Sequence, residues 1–233
     1  MFLPAADPVF DDEDDYDFND PGGNAELTAR ERAESFIRTA VLFESALAFV
    51  AVALGWMLDV PAWVSASGEN GSVLAVLGAI GLGTVATLPL LVAFLALQYS
   101  SIPSMEELQE FMERQIVPLF REASVVELGL ISLAAGLGEE ALFRGVVQGY
   151  LQTLMGTDAS PVVPILISSL LFGLAHYVTK EYLLISALMG AYLGLWFWWT
   201  GDLIVPIVIH ALYDWFALIY LRQMAPTTDQ QLD

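Results

Sequence analysis

Long apolar runs separated by short polar segments dominate the chain from about residue 37 onwards. A helix that crosses a bilayer needs about 20 predominantly apolar residues. Runs that approach or exceed this length lie at residues 37–58, 73–97, 124–154, 162–178, 183–199 and 203–221. The pattern predicts an all-α protein, a polytopic transmembrane helical bundle of about six spans with a polar site in the membrane core.

The run at residues 124–154 is longer than one crossing requires, and glycines and glutamates lie near its middle. Such a segment is compatible with one bent helix or with two helices, and the sequence leaves both open. We divide the chain into a disordered cytoplasmic tail, two N-terminal spans with a cytoplasmic linker, an intramembrane core and a polar C-terminal tail. The respective boundaries are 1–35, 36–121, 122–223 and 224–233.

The composition supports a membrane location, since 56% of the residues are hydrophobic and the mean hydropathy is +0.61. The net charge of -20 makes nucleic acid an unfavourable partner. An acidic chain with a single lysine is typical of halophilic archaea, which predicts a haloarchaeal cell membrane. Because the chain has no cysteine, thiolate chemistry is excluded, and a metal ion would need His, Asp or Glu ligands.

The few basic residues predict the orientation, because Lys and Arg near span ends favour the cytoplasmic side. Six crossings place all of them except Arg144 on one side, whereas the opposite loops contain neither residue type. The residues on that side are Arg30, Arg32, Arg38, Arg114, Arg121, Lys180 and Arg222. The acidic N-terminal segment lacks the features of a cleavable signal peptide. We therefore expect a multi-pass protein of the cell membrane with both termini in the cytoplasm.

Charged residues near the middle of predicted spans need partners, since each costs about 3 kcal/mol on insertion scales. Glu139, Glu140, Arg144 and Asp214 lie in such positions. Residues four apart on a helix face each other, so Glu140 is expected to pair with Arg144. Glu139 points about 140° away from Arg144 on the helical wheel. The spacing therefore predicts that Glu140 has a structural role and that Glu139 remains available for chemistry.

Both histidines also lie in apolar spans. His176 follows Phe172 by four residues, and His210 precedes Asp214 by four. A carboxylate one turn from an imidazole orients the ring, fixes its tautomer or shares a metal with it. A lone buried histidine is more often a hydrogen-bonded core residue, and Phe172 alone indicates packing. Glu139 and the histidines come from three spans, however, which favours one shared polar cavity.

Glu44 and Glu127 lie in apolar runs as well, but neither has a partner at helical spacing. We interpret them as interhelical hydrogen-bonding groups or as groups that line a cavity.

The charged residues and histidines fall into three motifs in a fixed order. These are EExxxR at Glu139, Glu140 and Arg144, FxxxH at Phe172 and His176, and HxxxD at His210 and Asp214. They resemble the three motifs of the CAAX-protease-like (CPBP or ABI) family of intramembrane peptidases. The resemblance covers residues 124–221. It implies an intramembrane endopeptidase that hydrolyses peptide bonds of membrane-associated proteins or peptides.

The resemblance also implies roles for single residues. Glu139 would activate the water, Glu140 and Arg144 would brace it, and His176 would assist it or bind metal. His210 would bind metal or stabilise the oxyanion together with the aspartate of the third motif. Many relatives carry Asn at the position of that aspartate.

A divalent metal, with zinc as our prediction, would be bound by Glu139, His176, His210 and Asp214. Such an ion lowers the pKa of its bound water to about 7 and polarises the scissile carbonyl. A glutamate in a dry cavity is an alternative general base that needs no metal. The acidic Asp214 favours the metal, because it adds a second anion to the ligand set.

Other classes fit the sequence less well. The chain has no HExxH motif and no serine nucleophile motif in a span, and the GxGD partner of a presenilin-like YD motif is absent. A proton- or ion-coupled transporter, or a non-catalytic immunity protein, remains an alternative, because it could use the same buried charges.

Overall fold

The computed structural model describes residues 28–65, 72–156 and 158–224. These residues form seven helices, so the predicted all-α class is confirmed. In chain order they are α1 (Ala29–Leu58), α2 (Val73–Gln98), α3 (Pro103–Phe111 with its continuation Met112–Ile116 and Val117–Phe120), α4 (Val125–Glu140, Ala141–Gln148 and Gly149–Met155), α5 (Val162–Ala175), α6 (Lys180–Thr200) and α7 (Ile204–Met224).

Helix α1 begins well before the apolar run that predicted it. The Thr28 side chain accepts a hydrogen bond from the Glu31 backbone N–H, and the Glu31 carboxylate accepts one from the Thr28 N–H at 2.8 Å. This reciprocal capping satisfies backbone groups that a helix start leaves unpaired. The predicted tail boundary at residue 35 therefore falls inside a helix. The rest of the predicted acidic tail, and nearly all of the C-terminal tail, lie outside the described residues.

The long third run forms one helix, α4, which settles the alternative that the sequence left open. Its backbone stays helical from Val125 to Met155, and Ala141–Gln148 are wound as a π-helix. The wider turns begin directly after Glu139 and Glu140 and include Arg144. Such segments are frequent at functional sites, where they change the direction of side chains without ending the helix.

Four helices in the described part of the chain are long and apolar enough to cross a membrane. They comprise Arg30–Leu58, Val73–Gln98, Lys180–Thr200 and Ile204–Gln223. Helix α5 is apolar but has only 14 residues, because the chain leaves the helix at His176 rather than at residue 178. The chain is thus a multi-pass membrane protein with four candidate spans, and the total of six stays a prediction.

The helices enclose charge and expose apolar side chains. Helix α4 packs against α1 and α7, and its π-helical part packs against α5, while α2 covers α7 and α6 covers α5. Trp56 and Leu74 are 85% and 79% exposed, whereas Glu140 and Arg144 are 0% exposed. A bundle whose solvent is lipid has this arrangement, since charges are tolerated only where they meet each other inside the protein.

Contacts at the two ends of the bundle bear on the predicted orientation. Arg30 and Arg222 both donate to backbone carbonyls just before α4, at Glu122 and Ala123 respectively. At the opposite end, the Leu203 N–H donates to the Val64 carbonyl at 2.8 Å. The first and last helices therefore place these arginines at the same end of the bundle, as the sequence predicts.

Candidate active site

Glu140 connects two of the three motifs. Its Oε2 lies 3.1 Å from Arg144 Nε, the contact expected from their spacing of four residues. Its Oε1 is hydrogen-bonded to His210 Nδ1 at 2.9 Å. The sequence did not predict this second contact, because the two residues are 70 positions apart on different helices. One buried carboxylate therefore holds a cation on α4 and an imidazole on α7.

Arg144 has further partners beyond the expected carboxylate. Its Nη2 donates to the Gly190 carbonyl of α6 at 3.0 Å, and its guanidinium lies 4.5 Å from the centre of the Phe172 ring. A cation over an aromatic face is stabilised further when it is desolvated. Arg144 thus connects α4 with both α5 and α6.

Phe172 and His176 form the second motif at the end of α5. The two rings stack with their centroids 4.5 Å apart, and the Phe172 ring also meets the His210 ring edge-on at 5.8 Å. His176 Nδ1 is hydrogen-bonded to the Phe172 carbonyl at 2.9 Å. Phe172 therefore packs, as expected, and in addition orients both imidazoles.

Glu139 faces His176. Its Oε2 lies 3.5 Å from His176 Nε2, and this oxygen is buried and accepts no hydrogen bond from the described residues. A carbonyl oxygen only accepts, so His176 Nδ1 must carry the hydrogen bonded to Phe172. In a neutral ring, Nε2 then presents a lone pair to the carboxylate. Two acceptors that face each other in this way need a proton, a water hydrogen or a cation between them.

His210 lies between two carboxylates. Its Nδ1 contacts Glu140, and its Nε2 lies 3.3 Å from Asp214 Oδ2, one helical turn further along α7. The His210 side chain is 3% exposed and that of Asp214 is 31% exposed. Asp214 therefore lies at the accessible rim of the site, whereas Glu140 lies at its buried inner end.

The chemistry of this donor set fits a divalent cation. The Nε2 atoms of both histidines are directed at carboxylate oxygens, and each Nδ1 has its own oxygen partner, which is the usual arrangement around metal-binding imidazoles. As placed, however, no three His, Asp or Glu side chains in the described ranges converge closely enough to hold an ion. The predicted metal set, Glu139, His176, His210 and Asp214, thus stays a prediction.

All six predicted site residues come together, from the middle of α4, the end of α5 and the first half of α7. The sequence indicates Glu44 only as an interhelical hydrogen-bonding group or a group that lines a cavity, and its carboxyl group lies on α1 beside that of Glu139. The only signal for it was a lone carboxylate in an apolar span. Glu127 instead forms the interhelical contact expected of it, 2.9 Å from Arg30.

The arrangement defines a class of protein: a helical membrane protein with a hydrolase-like cluster of carboxylates and imidazoles inside the bundle. Within it, residues 121–216 match the family described as Type II CAAX prenyl endopeptidase Rce1-like. This region contains all three motifs. The family resemblance that the motifs indicate is confirmed over this part of the chain.

Two curated proteins are each similar to part of the chain. "Uncharacterized protein YpbD" of Bacillus subtilis (strain 168) is 33% identical over 99 residues, which are 41% of this chain and 46% of that protein. "Membrane-embedded CAAX protease MroQ" of Staphylococcus aureus (strain USA300) is 35% identical over 92 residues, 39% of this chain and 37% of that protein. The chain thus matches less than half the length of either relative. No solved structure matches it.

We expect Glu140→Gln and Arg144→Gln each to lower the free energy of unfolding by about 3 to 5 kcal/mol, because each leaves the partner's charge buried without compensation. Denaturation of the purified protein in detergent measures this loss. The matched control is Glu110→Gln, which breaks an exposed pair with Arg114 at the same spacing and should change stability little. Unchanged unfolding of both site variants would contradict the buried ion pair.

Proposed function

We propose that the chain is an intramembrane endopeptidase that hydrolyses peptide bonds of membrane-associated proteins or peptides. The contact between Glu139 Oε2 and His176 Nε2 carries this proposal. It brings a buried carboxylate oxygen, which has no hydrogen-bond partner among the described residues, to the free nitrogen of an oriented imidazole. The match to a CAAX prenyl endopeptidase family over the same residues supports it. So does the printed name of the staphylococcal relative.

In the proposed reaction, Glu139 accepts a proton from a water molecule whose oxygen attacks the scissile carbonyl carbon. The proton then passes to the amide nitrogen as the C–N bond breaks and the amine product leaves. His176 Nε2 holds the same water through the lone pair that its tautomer leaves free. A positioned general base of this kind contributes roughly 10²- to 10⁴-fold to the rate. His210 faces the rim of the site and donates to the oxyanion or binds metal. Glu140 and Arg144 touch no substrate and hold these groups in place.

We also propose that a divalent cation, with zinc as the first candidate, binds to Glu139, His176, His210 and Asp214. The support is the donor chemistry of two oriented imidazoles and two carboxylates, which suits zinc. When bound, the ion would lower the pKa of its water to about 7 and polarise the carbonyl. Asp214 would contribute negative charge that an asparagine at the same position would lack.

The proposed location is a cell membrane, with a defined orientation of the chain. Both termini are proposed to lie in the cytoplasm, since Arg30 and Arg222 lie at the same end of the bundle and basic residues favour that side. A haloarchaeal membrane is proposed from the acidic composition alone.

A transporter or a non-catalytic immunity protein is the second candidate. The alternation of carboxylates and imidazoles, from Glu140 through His210 to Asp214, resembles the proton relays of pumps. The transporter predicts ion flux without peptide cleavage, and the immunity protein predicts neither. One reconstituted preparation can therefore separate both from the protease.

Glu139→Gln is expected to abolish proteolysis and to leave the unfolding temperature near that of wild type, because the amide keeps the shape but cannot accept the proton. Purified protein in vesicles is incubated with a library of fluorophore-quenched transmembrane peptides, and cleavage is followed together with ion flux. Glu106→Gln, an exposed carboxylate on α3, is the matched control and should cleave like wild type. Cleavage by Glu139→Gln would remove this residue as the base, and flux without cleavage by wild type would favour the transporter.

Asp214→Asn separates the two mechanisms of hydrolysis. If Asp214 is a metal ligand, the substitution should lower metal affinity at least about tenfold, because even indirect losses cost 10- to 100-fold. Elemental analysis should find about one divalent ion per wild-type chain, and a membrane-permeant chelator should inhibit cleavage. A metal-free, chelator-resistant wild type together with an active Asn variant would contradict the metal-dependent mechanism. The glutamate would then activate the water without a metal.

A further inference from the structure

Gln148 is a buried polar residue that neither the three motifs nor the proposed mechanism uses. It lies at the end of the π-helical part of α4, four residues after Arg144, and is only 4% exposed. A buried amide in a bundle surrounded by lipid is unfavourable unless another helix supplies a hydrogen-bond partner. The partner of Gln148 therefore indicates which helix the π-helical turns are held against.

Gln148 and Arg144 make the same kind of contact with α6. Gln148 Nε2 donates to the Gly194 carbonyl at 3.0 Å, and Arg144 Nη2 donates to the Gly190 carbonyl at 3.0 Å. Both contacts join residues 46 positions apart, so they lie side by side, about one helical turn from each other. A backbone carbonyl has two lone pairs and can accept such a bond in addition to the one within its helix. The π-helical turns of α4 are thus held to α6 at two points.

Glycine at the two α6 positions lets the side chains of α4 reach the backbone. A Cβ atom on Gly194 would lie 2.7 Å from Gln148 Oε1. A Cβ atom on Gly190 would lie 3.1 Å from the Ser169 Cα and 3.4 Å from Arg144 Nη2. A larger residue at position 194 would therefore displace the Gln148 amide. The close approach depends on two donors of α4 and on two glycines of α6.

Two contacts one turn apart fix both the register and the rotation of α4 against α6, whereas a single contact would let α4 turn about it. Arg144 connects this pair of contacts with the site, because it also holds Glu140 and lies over the Phe172 ring. We infer that Gln148 is a positioning residue, which holds Arg144 against α6 and so fixes where Glu139 stands. The inference rests on the proposed hydrolytic function and adds a residue that lies outside the three motifs.

Loss of the Gln148 contact would reach the reacting groups through α4 itself. The π-helical turns could then rotate about the remaining contact of Arg144 with α6. Glu139, directly before these turns, would move relative to His176, which α5 holds in place. Misplacement of a reacting atom by about 1 Å costs on the order of a hundredfold in rate. Substrate affinity would be nearly unaffected, because the Gln148 side chain is buried against α6.

The test compares Gln148→Met, which keeps the length of the side chain but cannot donate, with Gln152→Met as the matched control. Gln152 lies one turn further along α4 and also donates to backbone carbonyls, but to those of Gly156 and Ala159 in the segment before α5. The substrate is the transmembrane peptide that wild type cleaves fastest in vesicles. We expect kcat to fall about tenfold to a hundredfold for Gln148→Met, with KM within about threefold of wild type. Gln152→Met should keep the wild-type kcat, although it also loses hydrogen bonds.

A second variant tests the same contact from α6. Gly194→Ala adds a Cβ atom that crowds the Gln148 amide and weakens its bond to the carbonyl. Alanine is a better helix former than glycine, and the crowded atom is the end of a flexible side chain, so the protein should fold. The kcat of Gly194→Ala should fall at least about tenfold, again with little change in KM.

A folded Gln148→Met whose kcat stays within about twofold of wild type would overturn the inference and leave the protease intact. An equal loss of kcat in Gln148→Met and Gln152→Met would also overturn it, because the loss would then not depend on the contact with α6. If Gln148→Met fails to fold, Gly194→Ala decides, and a wild-type kcat in that variant overturns the inference. A wild type that cleaves no peptide instead contradicts the proposed function itself.

Discussion

The buried contact of Glu140 with both Arg144 and His210 is the interaction on which the site depends. Each of these groups would be costly alone in a bundle surrounded by lipid. Together they compensate each other's charge, and the geometry that achieves this also fixes the helices that carry them. Arg144 extends the contact to the Gly190 carbonyl of α6 and to the face of Phe172. The charge network therefore determines how α4, α5, α6 and α7 are placed relative to one another.

This network leaves a second set of groups free for chemistry. Glu139 lies next to Glu140 in sequence but faces a different side of α4, where it meets His176. Because Phe172 holds His176 through both its carbonyl and its ring, the free nitrogen of that imidazole points at the carboxylate. The different roles of the two neighbouring glutamates thus follow from helix geometry. Glu140 is held in structural contacts, whereas Glu139 stays available for chemistry.

Contacts between residues on the same helix could be predicted from the sequence, whereas contacts between different helices could not. The contact of Glu140 with Arg144 follows from a spacing of four on a helix, as does that of His210 with Asp214. The contact of Glu140 with His210, and the position of Glu44 beside Glu139, depend on how separate helices pack. No periodicity within one segment encodes such packing. The π-helical turns of α4 could not be predicted from the sequence either, because they depend on backbone hydrogen bonds rather than on the apolar pattern.

The ends of the helices also could not be predicted from hydropathy alone. Hydropathy located the apolar runs but not the capped start of α1 at Thr28, which polar residues stabilise. It also extended α5 past His176, where the chain leaves the helix and presents the imidazole to Glu139. Departures from the apolar pattern therefore coincide with residues that hold the bundle together or line its site.

Single-turnover cleavage in ¹⁸O-labelled water tests most directly whether the site activates water. Purified protein in vesicles is mixed with less than one equivalent of a cleavable transmembrane peptide, and the products are analysed by mass spectrometry. The account predicts one ¹⁸O atom in the newly formed carboxyl terminus during the first turnover, because the attacking oxygen comes from water. An unlabelled carboxyl terminus would contradict it, since the oxygen would then have come from a protein carboxylate.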